Sequence, residues 1–329
     1  MRALVYSSPR QVVLEDCPRP LPAVGESEIA VDAAGICGSD ISGFLGCSRS
    51  RIPPMVLGHE LVGRRPDGRR VVANPLICCG RCMACLSGRQ NLCSNWRLLG
   101  LGQTPGCFAE FVAVPDGEIY EIPDNLSDTR ALTVEPLANI VHLFRIAAPL
   151  PFFRLGIVGC GAMGSLALLM AIRLGVREIL VQDLKDMRVE MARKMGATLA
   201  VNVSSDDGRA AARQFAGDGL DLVLDASNDG VARQTALDLC RPGGLVVLLG
   251  MSQEPSEVDF AASIRKEQRI VMSFAYTPLD FERSLTLLKE GDIDLTQWTA
   301  EMPLDQGQQA FERMTSAPEE TLKMVLRVS

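Results

Sequence analysis

The apolar residues between positions 4 and 123 fall into short segments that Gly and Pro residues interrupt. Such segments favour β-strands, because β-branched residues dominate them and turn residues bound them. The clearest are 12–14, 28–31, 70–73 and 109–114. No helical period persists in this region, so the sequence predicts that it is β-rich.

The pattern changes at 155–158, where a buried-strand signal runs into a Gly-rich turn and then into an apolar helix over 165–174. Strands and helices alternate from there. The predicted strands are 179–182, 200–201, 222–224, 245–249 and 270–274, and the predicted helices are 187–195, 230–240 and 281–289. Repeated strand-helix units predict an α/β fold with a doubly wound parallel sheet. The chain closes on an apolar stretch at 324–326.

The composition and the charge of the chain limit the classes of protein to which it can belong. The 329 residues are about twice the ~150 of a typical domain, which predicts two domains. With 47% hydrophobic and 22% charged residues, the chain is globular, neither disordered nor fibrous. The net charge is −7 and no block of Lys or Arg occurs, which argues against nucleic acid or a membrane as partner. A small molecule is the expected partner.

The N-terminus reaches Ser7 and Pro9 before an apolar signal core forms, and no run approaches the ~18 apolar residues that span a bilayer. We therefore expect a cytoplasmic protein. In a reducing compartment, its 11 cysteines are expected to be metal ligands or buried thiols rather than disulfides.

Four cysteines have the spacing of a metal cluster. Cys79, Cys82, Cys85 and Cys93 form a C-x2-C-x2-C-x7-C pattern. Thiolates packed this closely predict a closed tetrahedral zinc site, which stiffens a lobe and performs no chemistry. Cys78 is expected to be a bystander, because the spacing selects Cys79.

The turn after the 155–158 strand has the G-x-G-x-x-G spacing of a dinucleotide site. It consists of Gly159, Cys160, Gly161, Ala162, Met163 and Gly164. Glycines in this pattern let the backbone approach a pyrophosphate, which lies at the N-terminus of the following helix. Asp183 comes roughly 20 positions after Gly164, where an acid bonds the adenosine ribose hydroxyls. The motif and the acid together predict binding of NAD.

A second metal site is suggested by residues far apart in the chain. Cys37 lies in the segment 35–40, His59 and Glu60 follow Gly58, and Glu135 precedes Pro136. One Cys, one His and one carboxylate with an open fourth position are typical of catalytic zinc, which polarises a carbonyl. Spacing alone leaves open whether these side chains converge.

With these motifs in this order, the chain resembles the zinc-containing medium-chain alcohol/polyol dehydrogenases. It is similar to the branch that includes sorbitol and galactitol-phosphate dehydrogenases. The matching segments are 37–40, 58–60, 79–93, 135–138 and 159–164. The resemblance implies a GroES-like catalytic domain at 1–150 with a structural zinc lobe at about 78–94. It further implies a Rossmann NAD-binding domain at 151–275 and a segment, 276–329, that returns to the catalytic domain. It implies two zinc ions per chain and NAD as cofactors. It also implies a homo-oligomer, either a dimer or a tetramer.

The resemblance also implies roles for individual residues. Cys37 and His59 would be zinc ligands, Glu60 a direct or exchanging ligand, and Glu135 a ligand or a hydrogen-bond partner of the water on the zinc. Ser39 would be the first hydroxyl of a proton relay.

Two departures from the family stand out. Ser42 occupies a position where many relatives carry His. Only residues 61–67 separate Glu60 from the strand that starts near residue 68. This stretch is longer in the family, so we expect the β-hairpin here to be shortened.

The expected activity is NAD-dependent oxidation of a secondary alcohol of a polyol, sugar or cyclitol to the ketone, or the reverse. A simple secondary alcohol, an aryl alcohol or a 3-hydroxy amino acid such as threonine is an alternative substrate. A different class is a nucleotide-binding protein of this family without catalysis. Cys37, His59 and Glu60 favour the enzyme, since a non-catalytic protein has no reason to retain all three.

Overall fold

The computed structural model describes residues 1–147, 153–227, 229–251, 255–291, 293–316 and 321–328. Its strands are β1 (Arg2–Ser8), β2 (Gln11–Asp16), β3 (Glu26–Ile36), β4 (Met55–Val56), β5 (Glu60–Arg64), β6 (Arg70–Ala73), β7 (Leu76–Ile77), β8 (Arg97–Leu98), β9 (Phe111–Pro115), β10 (Ile119–Glu121), β11 (Arg154–Val158), β12 (Glu178–Asp183), β13 (Leu199–Asn202), β14 (Leu220–Asp225), β15 (Cys240–Leu248), β16 (Arg269–Met272), β17 (Thr299–Pro303) and β18 (Lys323–Arg327). Its helices are α1 (Gly38–Phe44), α2 (Met83–Leu86), α3 (Asp128–Ala131), α4 (Val134–Ala147), α5 (Ala162–Arg173), α6 (Asp186–Met195), α7 (Asp206–Ala216), α8 (Gly230–Leu239), α9 (Phe260–Arg265), α10 (Pro278–Glu290) and α11 (Gly307–Ser316). None of the described helices combines the length and the hydropathy that a membrane-spanning segment requires.

The chain divides into two compact units. The first comprises Met1–Glu135 together with Thr277–Ser329, and the second is Pro136–Tyr276. The last segment of the chain therefore packs with the first. The domain limits 1–150, 151–275 and 276–329 stay a prediction.

The long strand β3 organises the first unit. It pairs in antiparallel fashion with β5, β9 and β18, in a sheet of order β10-β6-β5-β3-β18-β17. Its apolar face packs into a core that includes Phe44, Phe108 and Phe311. The ring centroids of Phe44 and Phe311 lie 4.9 Å apart. Because Phe44 ends α1, this core fixes the helix that follows Cys37.

The first unit is β-rich before position 123, as the pattern predicts, and it also contains the short helices α1 and α2, which the pattern does not indicate. Helix α1 has 7 residues, which is two turns and too short to show a hydrophobic period. A local bond starts it: the Cys37 N–H donates to Asp40 Oδ2 over 3.0 Å. The side chain at the third helical position thus satisfies a backbone donor before the first turn.

The shortened segment at 61–67 forms a tight hairpin between β5 and β6. Val62 pairs with Val72, and Arg64 with Arg70. The turn closes where the Arg65 N–H donates to the carbonyl of Arg69 over 3.0 Å. The hairpin begins at Glu60, so its pairing fixes the position of that carboxylate.

The second unit is built on a parallel sheet of order β13-β12-β11-β14-β15-β16. Each neighbouring pair in it is parallel. The predicted α/β fold with a doubly wound sheet is confirmed. Strand order reverses between β11 and β14, and in such sheets a ligand binds beyond the carboxyl ends of the strands at this point.

Candidate metal centres and nucleotide site

The four cysteines of the spacing motif converge in the loop between β7 and β8. The sulfur atoms of Cys79, Cys82, Cys85 and Cys93 all lie within 4.8 Å of one another. Cys82 Sγ is 3.5 Å from Cys85 Sγ, and Cys79 Sγ is 3.9 Å from Cys85 Sγ. Tetrahedral zinc with bonds of about 2.3 Å places sulfur atoms about 3.8 Å apart. The cluster therefore fits a closed zinc site.

Backbone N–H groups donate to sulfur atoms of this cluster, whereas burial raises the pKa of the Cys85 thiol to about 12. Cys93 Sγ accepts from the N–H of Cys79 over 3.4 Å and from that of Asn95 over 3.3 Å. The N–H of Cys85 lowers the pKa of Cys82 to about 6. Thiolates are the form that binds metals.

Cys78 lies outside this cluster. Its thiol donates to the carbonyl of Gln90 over 3.1 Å. Burial, together with the negative charge of Cys93, raises the pKa of Cys78 to about 12, so the thiol stays protonated. Cys78 is thus bonded to a backbone carbonyl and is not a member of the four-sulfur group.

Cys37, His59 and Glu60 form a second group, whose ligand atoms also lie within 4.8 Å of one another. Cys37 directly follows β3, and His59 directly precedes β5. The register of these strands pairs Gly35 with Glu60, which brings the two segments together. A thiolate, an imidazole and a carboxylate are three ligands of the kind that zinc accepts, and they leave a fourth position for substrate.

The carboxylate of Asp40 lies beside Nδ1 of the His59 ring. Asp40 Oδ1 lies 3.4 Å from His59 Nδ1 and 3.4 Å from Arg51 Nε, and its side chain is fully buried. Burial by itself raises the pKa of Asp40, but His59 and Arg51 outweigh it and lower the pKa to about 2. An anionic carboxylate at Nδ1 fixes the imidazole and leaves Nε2 for a metal. The sequence analysis assigned no role to Asp40, although its place three residues after Cys37 in the motif was a signal.

Lys323, at the start of β18, forms a buried ion pair with Glu60. Gly35 makes room for this pair, since a Cβ there would lie 2.8 Å from Lys323 Cε and collide with the Glu60 carboxylate. Burial lowers the pKa of Lys323, but Glu60 and Cys37 outweigh it and raise the pKa overall. The amine thus stays charged. A single lysine at the edge of an apolar stretch carried no sequence signal for this contact.

The other predicted residues of this site lie around the group. Ser39 is half-buried on α1, and its Oγ accepts from Arg51 Nη2 over 3.0 Å. Ser42 donates to the carbonyl of Gly38 within the same helix, over 3.3 Å. Glu135 is buried at the start of α4 and, in the part of the chain that is described, lies outside the three-residue group. Its charge nevertheless contributes to the raised pKa of Lys323.

The Gly-rich turn links β11 to α5. Gly159 has a φ of +92°, a conformation that favours glycine. A Cβ on Gly161 would meet nothing within 4 Å, so the space beside the N-terminus of α5 is open. Ala162 and Met163 begin that helix, and Gly164 is buried in its first turn. The turn therefore fits the pyrophosphate of a dinucleotide, which binds at a helix N-terminus.

Asp183 ends β12 and lies against this turn. Its Oδ2 accepts from the Cys160 N–H over 2.7 Å, and its Oδ1 accepts from the Lys185 N–H over 3.0 Å. Arg188 Nη1 lies 3.7 Å from Oδ2. The acid and the glycine motif, about 20 residues apart in sequence, therefore adjoin, as a site for adenosine ribose requires.

Two family models match the chain. The model for the alcohol dehydrogenase GroES-like domain matches residues 23–124, and that for zinc-binding dehydrogenase matches residues 162–290. The chain is 32% identical to L-threonine 3-dehydrogenase of Anaeromyxobacter sp. (strain K), over 96% of each chain. It is 30% identical to sorbitol dehydrogenase of Bacillus subtilis (strain 168), over 99% of this chain and 97% of the relative.

A solved structure agrees with these matches. A short chain alcohol dehydrogenase from E. coli CFT073, complexed with NADH, superimposes with a TM-score of 0.92. The sequences are 26% identical, and the alignment covers 100% of this chain and 99% of that one. The relatives thus span this chain from end to end, both units included.

Replacing Lys323 tests the buried ion pair. Lys323→Met leaves the Glu60 carboxylate buried without a cation, so we expect the free energy of unfolding to fall by about 3–5 kcal/mol. Urea denaturation followed by tryptophan fluorescence measures it, because Trp96 and Trp298 both lie in the first unit. Lys289→Met, on the exposed end of α10, is the control and should change little. Equal effects of the two substitutions would contradict the role of the pair.

Proposed function

Because the chain belongs to the family of zinc-binding dehydrogenases with a GroES-like alcohol dehydrogenase domain, we propose that it oxidises a secondary alcohol of a polyol, sugar or cyclitol to the ketone, reversibly. The protein is an NAD-dependent oxidoreductase that uses zinc and acts on a small molecule. The observation that carries the proposal is the convergence of Cys37, His59 and Glu60, with Ser39 two residues after Cys37 in the chain. The three side chains supply a set of zinc ligands, and Ser39 supplies a hydroxyl that can move a proton.

In this proposal the three converging side chains hold a catalytic zinc, and the four-cysteine cluster holds a structural one. When bound, zinc polarises the C–O bond of the substrate and NAD accepts the hydride from the same carbon. Asp40 keeps the His59 ring in the orientation that a metal needs. Lys323 holds the carboxylate of Glu60 in place. Glu135 would be a further ligand or a hydrogen-bond partner of the water on the zinc.

Ser39 accepts the hydroxyl proton of the substrate and passes it toward solvent or the cofactor ribose. Support for a short route comes from Ser42, whose hydroxyl donates to the Gly38 carbonyl. The position that holds His in many relatives therefore adds no group to the relay here.

The polyol assignment is supported by the sorbitol dehydrogenase relative at 30% identity. A second candidate is oxidation of L-threonine, which the relative at 32% identity supports. A homo-oligomeric, cytoplasmic enzyme remains part of the proposal.

A substrate screen decides between these candidates. The zinc-loaded enzyme is given NAD and one compound at a time, and the absorbance of NADH is followed. The panel is sorbitol, galactitol, myo-inositol, 2,3-butanediol, 1-phenylethanol and L-threonine. We expect the highest kcat/KM with a polyol or the cyclitol. A higher value for L-threonine would favour the second candidate, and no turnover of any compound would contradict the proposal.

The two metal sites predict two zinc ions per chain. Elemental analysis of wild type should approach two equivalents, and Cys37→Ser should lose about one and abolish turnover. Cys82→Ser should also lose about one but chiefly destabilise the fold, because binding at a structural site is coupled to folding. Cys78→Ser, the matched control outside the cluster, should keep both. One equivalent in wild type, unchanged by Cys37→Ser, would rule out the catalytic site.

Asp183 predicts a preference for NAD over NADP, because its carboxylate repels a 2′-phosphate and accepts bonds from ribose hydroxyls. Asp183→Gly should lower the ratio of kcat/KM for NAD to that for NADP at least tenfold, ~1.4 kcal/mol. Lys185 and Arg188 lie nearby, so we expect a strong preference rather than exclusion. Asp186→Ala, an acid on the next helix bonded to Asn202, is the control. An unchanged ratio in Asp183→Gly would show that Asp183 does not meet the ribose.

A further inference from the structure

One buried cation beside the proposed site has no role in the function proposed above. Arg51 lies in the loop between α1 and β4 and is only 6% exposed. Its backbone N–H donates to Ser48 Oγ over 3.2 Å, which anchors the loop. Burying a guanidinium is costly unless its donors meet partners, so its contacts are informative.

Helix α1 is shaped to receive this side chain. Gly43 lies on the helix where the Arg51 chain crosses it, and a Cβ there would be 2.5 Å from Arg51 Cδ and 3.1 Å from Arg51 Cβ. Any larger residue at position 43 would therefore push the side chain away. Because Gly43 has no side chain, the Arg51 side chain can pass over it, and the guanidinium lies against the first turn of α1.

In that place the guanidinium meets two groups of the proposed site. Arg51 Nη2 donates to Ser39 Oγ over 3.0 Å, and Arg51 Nε lies 3.4 Å from Asp40 Oδ1. The contact with Asp40 balances a buried charge. The contact with Ser39 involves the hydroxyl that the proposed function uses for proton transfer.

The bond to Ser39 restricts what that hydroxyl can do. A serine hydroxyl has one proton to donate and two lone pairs, whereas a guanidinium only donates and stays charged. Arg51 occupies one lone pair of Oγ and cannot accept the hydroxyl proton. Ser39 is thus left with one lone pair and one O–H, both pointing away from Arg51.

We propose that Arg51 is a positioning residue for Ser39: it fixes the hydroxyl so that Oγ takes the substrate proton into its free lone pair while its own proton leaves to a water molecule. One proton enters and one leaves, so the hydroxyl is unchanged after each turnover. The inference rests on the proposed function, because it assigns Ser39 the transfer step. It excludes a relay that runs through the loop at position 51.

A double-mutant cycle tests whether Arg51 acts through Ser39. The zinc-loaded enzyme is assayed with NAD and sorbitol, or with the panel compound of highest kcat/KM if that is another. We expect kcat to fall about 100-fold in Ser39→Ala, the usual scale for a proton-transfer group, and ~10-fold in Arg51→Met. KM and zinc content should stay unchanged. The double variant should fall no further than Ser39→Ala.

Two more variants complete the cycle. Arg51→Lys keeps the charge beside Asp40 and one donor for Ser39, so it should recover part of the lost kcat, and it replaces Arg51→Met if that variant fails to fold. Ser42→Ala is the matched control, a hydroxyl on the same helix bonded to Gly38, and should leave kcat unchanged. Multiplicative losses in the double variant would overturn the proposal. So would a loss of zinc, or a raised KM with unchanged kcat, since Arg51 would then act through His59 or on the substrate.

A measurement without turnover separates this inference from the proposed function. In enzyme labelled with ¹⁵N-arginine, the guanidinium resonances of Arg51 are identified by their loss in Arg51→Lys. They should shift in Ser39→Ala and stay in place in Ser42→Ala. Unshifted resonances in Ser39→Ala would overturn the proposal even if every panel compound were oxidised. If no compound is oxidised, the proposed function fails, and a shift in Ser39→Ala still supports Arg51 as the group that orients Ser39.

Discussion

The pairing of β3 with β5 is the constraint on which the proposed active site depends. It places Gly35 opposite Glu60, so the end of one strand and the start of the other supply Cys37, His59 and Glu60 to one point. A shift of one residue in this register would turn Glu60 to the other face of the sheet. The short hairpin from β5 to β6 and the pairing of β3 with β18 hold that register from both sides.

Buried charge around this point is arranged in pairs. Asp40 lies between His59 and Arg51, and Lys323 lies against Glu60. Each charge would be costly alone in the interior, and each is stabilised by a partner from another element. Helix α1 supplies Asp40, and β18 supplies Lys323, so the C-terminal segment contributes directly to the ligand group.

The two candidate metal sites differ in how they are built. The structural cluster comes from one loop, with backbone N–H groups bonded to its sulfur atoms, and it encloses its site. The other group draws on segments that are distant in the chain and offers three ligands, so a zinc ion held there would keep a fourth position for substrate. A closed site with four protein ligands stabilises the surrounding lobe. A site with three protein ligands can bind and release substrate at its fourth position while the metal stays bound.

The sequence alone determined those features that depend on short-range spacing. Four cysteines within one loop lie close together whatever the rest of the chain does, so the four-cysteine cluster was predictable from the spacing. Three glycines between a strand and a helix indicate a tight turn, so the glycine-rich turn was predictable as well. The α/β fold class followed from the alternation of strands and helices. The position of Asp183 at the end of the next strand was also predictable, because it follows Gly164 by about 20 residues. Only the tertiary structure decided the convergence of Cys37 with His59 and Glu60, and the contacts of Asp40, Arg51 and Lys323. These depend on strand register and on a helix too short to show a period, and both are set by the packing of segments far apart in the chain, which residue spacing does not encode.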